Sequence, residues 1–313
     1  MSLQNVNWQC VTTEPSELGE SPFWQPHEQR LYWVDIAGKK ILRANIDKGS
    51  VETWDLPSEP GCMAPAASGG LVIALRHGVF RARAWGGPLQ LVASLNYDPA
   101  HQRANDGKCD PLGRFWIGTL DETRVARNAA LYSLDCRHPG PPLIERQLDP
   151  GTPPAATANA LAWSPDGGTL YWADTPSHTI QAWDFDVNAN RMRGRRLFHQ
   201  FAPKPVGWRF DLAGYGGRPD GAAVDLQGNY YVAMYEGRRI CKLAPDGSLL
   251  AEFATPAQCP TMPCFGGEDR QTLFVTTARQ HRSAEELEAF PRSGCVFSMR
   301  VEVLGLPVNF FVD

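Results

Sequence analysis

The sequence predicts an all-β protein folded as one six-bladed β-propeller, a single domain over residues 1–313. Three observations predict this fold: a strand–turn–strand unit that recurs six times, turn residues spread along the chain, and little helical periodicity. With 43% hydrophobic residues the chain has enough apolar material for one large core. Its 26 prolines and 29 glycines are scattered, as many short strands joined by many turns require.

The repeated unit is an apolar strand followed by a polar turn and a second strand. Its six copies start roughly 40 to 60 residues apart, as expected for four-stranded blades. The copies are Leu31–Asp47, Leu71–Arg83, Phe115–Asp135, Leu170–Asp186, Tyr230–Leu243 and Leu273–Val301. One short segment, Ser283–Phe290, has helical character, and we expect it to form a helix within a loop.

A short apolar strand leads into several of these hairpins and ends at a turn, which is typical of the innermost strand of a blade. Ser21–Trp24, Leu161–Trp163 and Ala222–Val224 are examples. The N-terminal segment, about 5–13, has no blade of its own. We expect it to pair with the last blade and close the ring, because such pairing removes an open sheet edge.

Charge and composition exclude several classes of partner. A net charge of −4 and a pI near 6.0 provide no general attraction to nucleic acid or to an anionic membrane. No apolar run is long enough for a signal peptide or a membrane span, so we expect a cytoplasmic protein. The eight cysteines are expected to be reduced thiols, and the chain is expected to be a monomer.

Aligning the repeats on their turns brings four polar residues to one equivalent position. Glu20 and Asn159 lie eleven residues before their hairpins, and Asn105 and Asp220 lie ten residues before theirs. The ends of the innermost strands line the channel of a propeller, so these side chains should converge on its axis. Each alone could equally cap a turn, but four together favour a shared site. Two carboxylates and two amide oxygens suit Ca²⁺, Mg²⁺ or Mn²⁺.

Longer motifs occur in a fixed order along the chain. They are GESP at 19–22, RANDGK at 103–108, DPLGRFW at 110–116, Asn159 before LAWSPDG at 161–167, PDG at 219–221, and FGG at 265–267 before TTAR at 276–279. In this order and spacing the motifs resemble the senescence-marker-protein-30/gluconolactonase family of regucalcin-like sugar lactonases. The resemblance covers nearly the full length of the chain.

The resemblance implies that Glu20, Asn159 and Asp220 bind one divalent metal ion, with Asn105 beside it. Ca²⁺ is favoured, although oxygen ligands also accept Mn²⁺, Mg²⁺, Zn²⁺ and Fe²⁺. One departure concerns Ala158-Asn159-Ala160, where the family usually has Ser-Asn-Gly. Alanine does not adopt positive φ as freely as glycine, so we expect the local backbone to differ here.

The resemblance also implies that Arg103, Asn105 and one carboxylate, either Asp121 or Glu122, contact the sugar. The predicted reaction is hydrolysis of an aldonolactone, with a divalent ion polarising the carbonyl and Asp220 as the general base. Arg103 and Asn105 would hold the sugar hydroxyls and orient the ring.

Other interpretations stay open at this point. Arg103 could be a surface arginine paired with Asp106 or Asp121. The chain could be an organophosphate or aryl-ester hydrolase on the same metal propeller, because the aromatic segment 201–218 is expected to cover the pocket. It could also be a non-catalytic calcium-binding propeller. A serine hydrolase or a zinc hydrolase is disfavoured, since the sequence has no Gly-x-Ser-x-Gly elbow and no His-x-x-x-His pair.

Overall fold

Twenty-four short strands form six antiparallel sheets of four strands each. The structure is a computed structural model that describes residues 3–147, 149 and 151–313. In chain order the strands are β1 (Gln9–Cys10), β2 (Gly19–Gln25), β3 (Arg30–Asp35), β4 (Lys40–Asn45), β5 (Ser50–Asp55), β6 (Pro60–Pro65), β7 (Leu71–Leu75), β8 (Gly78–Ala82), β9 (Gln90–Ala93), β10 (Gln102–Cys109), β11 (Phe115–Asp121), β12 (Leu131–Asp135), β13 (Leu143–Gln147), β14 (Ala158–Trp163), β15 (Thr169–Asp174), β16 (Thr179–Asp186), β17 (Arg191–Gln200), β18 (Arg218–Val224), β19 (Tyr230–Tyr235), β20 (Arg239–Leu243), β21 (Leu249–Ala254), β22 (Pro260–Gly266), β23 (Thr272–Thr277) and β24 (Phe297–Arg300).

The six sheets are the blades of a closed propeller. Blades 1 to 5 are β2–β5, β6–β9, β10–β13, β14–β17 and β18–β21, each with consecutive strands paired from the inside outward. Their first strands pack against one another around a ring, and β22 of the sixth blade packs against both β18 and β2. In that blade the order is β22, β23, β24 and β1, because Gln9 and Cys10 pair with Ser298 and Phe297.

The predicted six-bladed propeller is confirmed, and each predicted hairpin forms the second and third strands of its blade. The predicted short helix is present as α1 (Ala284–Ala289), with Ser283 as its N-cap. The Ser283 hydroxyl accepts a hydrogen bond from the Glu286 N–H at 3.2 Å. No helix in the described part of the chain is long and apolar enough to cross a membrane.

Aromatic side chains fill the seams between neighbouring blades. Trp116 of β11 packs edge-on against Trp163 of β14, with ring centroids 5.7 Å apart. Trp24 of β2 stacks on Phe274 of β23 at the same centroid distance, which joins the first and last blades. Since each blade is covered on both faces, every residue of β2, β6, β14 and β22 is buried. Burial on both faces removes the alternation of polar and apolar residues that a half-exposed strand shows.

The C-terminal segment 304–313 crosses one end of the central channel. The N–H groups of Leu306 and Phe311 donate to the carbonyls of Val224 and Pro65, at 3.1 and 2.8 Å. These carbonyls lie at the carboxyl ends of β18 and β6, and a cavity of about 330 Å³ occupies this half of the channel. The predicted metal-site residues lie at the opposite, amino ends of the inner strands: Glu20, Asn105, Asn159 and Asp220.

Candidate active site

Bulges at the amino ends of four inner strands position the predicted site residues. The pairing register shifts between Glu20 and Phe23 in β2, and between Asn159 and Ala162 in β14. Equivalent shifts flank Asn105 in β10 and Asp220 in β18. A bulge bends its strand and re-aims the side chains beside it, here toward the channel axis. All four side chains are buried.

The structure joins three of these residues and Arg103 in one chain of hydrogen bonds across blades 3, 4 and 5. Arg103 Nη1 donates to Asn105 Oδ1 at 2.8 Å, and Asn105 Nδ2 donates to Asn159 Oδ1 at 2.8 Å. Asn159 Nδ2 then donates to Asp220 Oδ1 at 2.7 Å. Each amide is oriented by both neighbours, so the polar groups are held in place before any ligand binds.

One residue that the sequence analysis did not select, Thr175, holds Asn159 in this chain. Asn159 Nδ2 also donates to Thr175 Oγ1, and the Thr175 hydroxyl donates to the Pro219 carbonyl, both at 2.8 Å. Thr175 therefore connects Asn159 to the backbone beside Asp220. No motif contains Thr175, because it lies in the turn directly after β15 and not at the repeated position of an inner strand.

The expectation for the Ala158-Asn159-Ala160 segment needs a correction. Ala160 has φ +59°, the left-handed conformation that glycine favours. The neighbouring groups hold it there: the Tyr230 hydroxyl donates to the Ala160 carbonyl, and the Leu161 N–H donates to Asp106 Oδ2 at 2.8 Å. These contacts stabilise a backbone conformation that alanine alone would avoid.

Three buried carboxylates, Glu20, Asp106 and Asp220, lie close enough for their charges to interact. Burial raises the pKa of Glu20 and of Asp220 well above the usual range, and repulsion from Asp220 and Asp106 raises that of Glu20 further. Burial also raises the pKa of Asp106, whereas the Lys108 ammonium lowers it. Keeping all three carboxylates ionised inside the protein would be costly without a cation beside them.

A hard divalent cation fits this arrangement. Asp106 Oδ1 is a buried oxygen without a hydrogen-bond partner among the described residues. Glu20, Asn159 and Asp220 present side-chain oxygens, the donors that such an ion prefers. Within residues 3–147, 149 and 151–313, no three His, Cys, Asp or Glu side chains are grouped closely enough to hold a metal. Amide oxygens would therefore have to complete the ligand set.

The structure distinguishes Asp121 from Glu122, the two carboxylates that the sequence analysis left open as the sugar contact. Asp121 turns its oxygens to the loop that follows β11, accepting from the Thr123 N–H at 3.0 Å and the Arg127 N–H at 2.8 Å. Glu122 instead lies 3.8 Å from Arg103 Nε and is held by Arg76 through two contacts of 2.9 Å. Glu122, with Arg103, lines the mouth, and Asp121 caps the loop.

Arg103 is not a surface arginine. Its side chain is only 11% exposed, and its hydrogen bonds go to the Ala104 carbonyl and Asn105. Burial lowers the pKa of the Arg103 guanidinium, and Glu122 acts in the opposite direction. A desolvated guanidinium with free N–H groups is suited to bind hydroxyl or carbonyl oxygens of a ligand.

The fold and the site define a six-bladed β-propeller with an oxygen-rich polar site at one mouth of its channel. Residues 18–279 match the family described as SMP-30/Gluconolactonase/LRE-like region. The chain belongs to this family, so the resemblance seen in the motifs is confirmed.

Individual relatives match along nearly the whole chain. A 6-deoxy-6-sulfogluconolactonase of Pseudomonas putida is 40% identical over 307 residues, which cover 98% of this chain and 99% of that protein. Regucalcin of Danio rerio is 32% identical, with 97% and 98% covered. The crystal structure of a calcium-binding protein, regucalcin, from Agrobacterium tumefaciens has a TM-score of 0.88 at 24% identity, with 99% of both chains covered. That structural likeness concerns the fold.

Proposed function

We propose that the protein is a metal-dependent sugar lactonase, which hydrolyses an aldonolactone to the open sugar acid. The observation that carries the proposal is the hydrogen-bonded chain from Arg103 to Asp220, which links a guanidinium suited to sugar oxygens with buried carboxylates. Membership of the family and 40% identity to a sulfogluconolactonase over nearly the full chain support the same activity.

In this proposal Glu20, Asn159 and Asp220 hold one divalent ion, with Asn105 beside it. Ca²⁺ is the first choice because every donor is an oxygen and a similar protein is described as calcium-binding. Mn²⁺, Mg²⁺, Zn²⁺ and Fe²⁺ are the alternatives to test. When bound, the ion supplies Lewis-acid polarisation of the lactone carbonyl.

The protein groups orient the lactone and move one proton. Arg103 and Asn105 bind ring hydroxyls and hold the carbonyl at the channel mouth, while Glu122 accepts hydrogen bonds from hydroxyls further out. Asp220 accepts the proton of the attacking water and returns it to the ring oxygen as the ester bond breaks. Burial raises the pKa of this carboxyl group, which makes its ionised form a stronger acceptor for the proton of the attacking water.

A pH-stat assay tests the activity directly. The metal-loaded protein is compared on gluconolactone, arabinolactone and galactonolactone, beside a phosphotriester and an aryl ester, with each of the five metals. Metal-dependent acid release from a lactone is expected. Turnover of the phosphotriester or aryl ester alone would favour the organophosphate or aryl-ester hydrolase, and metal binding without any turnover would favour the non-catalytic propeller.

The role of Asp220 is tested by Asp220→Asn, with Asn159→Ala as the matched loss of a ligand alone. Both variants should bind the metal more weakly, and occupancy is measured separately by calorimetry. At saturating metal, Asn159→Ala should recover most of its rate, whereas Asp220→Asn should stay about 10²–10⁴-fold slow if a positioned base is lost. A near wild-type rate of Asp220→Asn at full occupancy would remove Asp220 from the base role.

A further inference from the structure

The wall beside Asp220 carries a cluster of cationic side chains that take no part in the proposed reaction. Three side chains converge on the carboxylate of Glu236, which is 4% exposed. Lys204 Nζ lies 2.9 Å from both of its oxygens. Arg218 Nη2 lies 3.4 Å from Oε2, and Arg282 Nη1 lies 3.3 Å from Oε1.

This cluster lies at the same channel mouth as the candidate site. Arg218 is the first residue of β18, two positions before Asp220, and it pairs with Tyr235 of β19. The guanidinium carbons of Arg218 and Arg282 lie 5.2 and 5.7 Å from the centroid of the Tyr235 ring. Tyr235 thus forms a platform for both guanidinium groups next to Asp220.

Lys204 reaches the cluster from the segment between β17 and β18. Its ammonium lies 5.1 Å from the ring centroid of Trp208, and the rings of Trp208 and Tyr215 pack edge-on at 4.9 Å. The Tyr215 hydroxyl hydrogen-bonds with His178 Nε2 at 2.8 Å, which ties the segment to blade 4. The segment therefore folds onto the rim of the mouth and adds a cation there.

The charges of the cluster do not balance among the described residues. Its three cations meet two carboxylates, Glu236 and Glu286, the latter 3.5 Å from Arg282 Nη1. The opposite wall is balanced, with two guanidinium groups and two carboxylates: Arg76, Arg103, Glu59 and Glu122. Asp220 also faces Arg218 and would balance the third cation, so one positive charge is in excess on this side of the mouth once the proposed metal ion takes the Asp220 carboxylate.

Arg218 has the most donors without a protein partner in this cluster. Within the described ranges its guanidinium makes no hydrogen bond, and its contact with Glu236 at 3.4 Å is an ion pair only. The side chain is 21% exposed, so part of it is accessible to solvent. A guanidinium carries five N–H groups in a planar fork that matches two oxygens of a carboxylate, phosphate or sulfonate.

We propose that Arg218, Lys204 and Arg282 form a subsite for an oxyanion carried by the substrate at the end remote from its ester. The inference rests on the proposed lactonase function and narrows its substrate class to aldonolactones with a terminal anionic group. Arg218 binds two oxygens of that group, and Lys204 and Arg282 supply the remaining positive charge.

The subsite is tested with lactones that share one ring. kcat/KM is measured for D-glucono-1,5-lactone and for analogues with a sulfonate, phosphate or carboxylate at the terminal carbon, which also distinguishes the three anions. At least one anionic lactone should be preferred by roughly ten- to hundredfold, the effect of a charge-assisted bidentate contact. Arg218→Gln and Lys204→Gln should each lower this anionic-to-neutral ratio. Arg193→Gln, an exposed β17 arginine, is the matched control that should leave the ratio unchanged.

Equilibrium binding separates failure of the subsite from failure of the proposed function. Calorimetry compares gluconate with 6-phosphogluconate on the metal-loaded protein, so turnover is not required. Tighter binding of 6-phosphogluconate that Arg218→Gln abolishes would support the subsite even if no lactone were hydrolysed. Equal affinities for gluconate and 6-phosphogluconate would overturn the subsite, and so would a preference for 6-phosphogluconate that Arg218→Gln and Lys204→Gln both retain. If Arg218→Gln does not fold, Lys204→Gln on the rim segment decides the outcome.

Discussion

Two aspartates at one position of the repeat should differ sharply in their contribution to stability. Asp110 and Asp225 follow the inner strands β10 and β18, are fully buried, and each accepts two backbone N–H groups through Oδ1. Asp110 Oδ2 additionally accepts from Arg114 Nε at 2.5 Å and Trp116 Nε1 at 3.1 Å. The Arg114 side chain is 1% exposed, so the pair is a buried ion pair.

The substitution Asp110→Asn keeps the turn but removes the charge that compensates Arg114. The new amide nitrogen takes the place of Oδ2, so its N–H groups face the donors Arg114 Nε and Trp116 Nε1. Leaving a buried guanidinium without its partner costs about 3–5 kcal/mol. Asp225→Asn leaves no fully enclosed cation, because its side-chain partners are Asn229 Nδ2 at 2.8 Å, the Tyr231 hydroxyl and Lys242, which is 3.9 Å away and 18% exposed. We therefore expect a loss of about 1–2 kcal/mol.

The assay is urea unfolding of both variants, with Tm as a second measurement. From the average unfolding entropy per residue, 1 kcal/mol corresponds to about 1.5 °C in a chain of 313 residues. Asp110→Asn should therefore lower Tm by about 5–7 °C and Asp225→Asn by about 2–3 °C. Lactone turnover at 25 °C should be unaffected, since both residues lie at the other end of the channel. Equal losses in the two variants would refute the reasoning.

Two further predictions concern the mouth. Arg103→Ala should lower kcat/KM for lactones by about 10²-fold and leave metal affinity nearly unchanged, because its guanidinium orients the sugar. Loss of metal binding in calorimetry would instead mean that Arg103 acts by positioning Asn105. Asp121→Ala should lower the free energy of unfolding by about 2 kcal/mol, since several loop hydrogen bonds are lost, whereas Glu122→Ala should raise KM with little effect on unfolding. The opposite pattern would return the sugar contact to Asp121.

The hairpins could be predicted because each combines a β-rich apolar run with turn residues that fix the backbone locally. Counting ten or eleven residues back from the start of each hairpin predicted that four polar side chains converge: Glu20, Asn105, Asn159 and Asp220. The bulges that aim these side chains have no such local signal, since a bulge depends on what the neighbouring strand and blade present.

Buried charges were also beyond sequence reasoning. Arg114 and Lys108 follow polar turn or motif residues, yet the Arg114 side chain is 1% exposed and Lys108 is half-buried with its ammonium on the Ala222 carbonyl. Arg218 and Arg282 are far apart in the chain, and only the ring of blades brings both to Glu236. The excess charge at the mouth is a tertiary property, so charge counts along the sequence do not reveal it.

The alanine at position 160 offers a test of how the bulge supports Asn159. Its left-handed conformation costs alanine about 1–2 kcal/mol relative to glycine, and the Tyr230 hydroxyl on its carbonyl helps to hold it. Tyr230→Phe keeps the ring, which packs against Tyr171 with centroids 5.0 Å apart, and removes only the hydroxyl. With alanine at 160, this change should let the backbone relax and weaken metal binding by about tenfold, the equivalent of roughly 1.4 kcal/mol.

In the Ala160→Gly background the same Tyr230→Phe change should weaken metal binding much less, because glycine remains in the left-handed region without help. The measurement is a double-mutant cycle of metal affinity by calorimetry, with free energies of unfolding from urea as the control for general loosening. We expect a coupling free energy of about 1 kcal/mol in metal binding. Ala160→Gly alone should change the free energy of unfolding by less than about 1 kcal/mol, because relief of backbone strain offsets the greater entropy of the unfolded chain and the loss of a buried methyl group. Additive effects on metal affinity would mean that the hydroxyl and the strained alanine act independently, and that Asn159 is positioned by Thr175 and Asn105 alone.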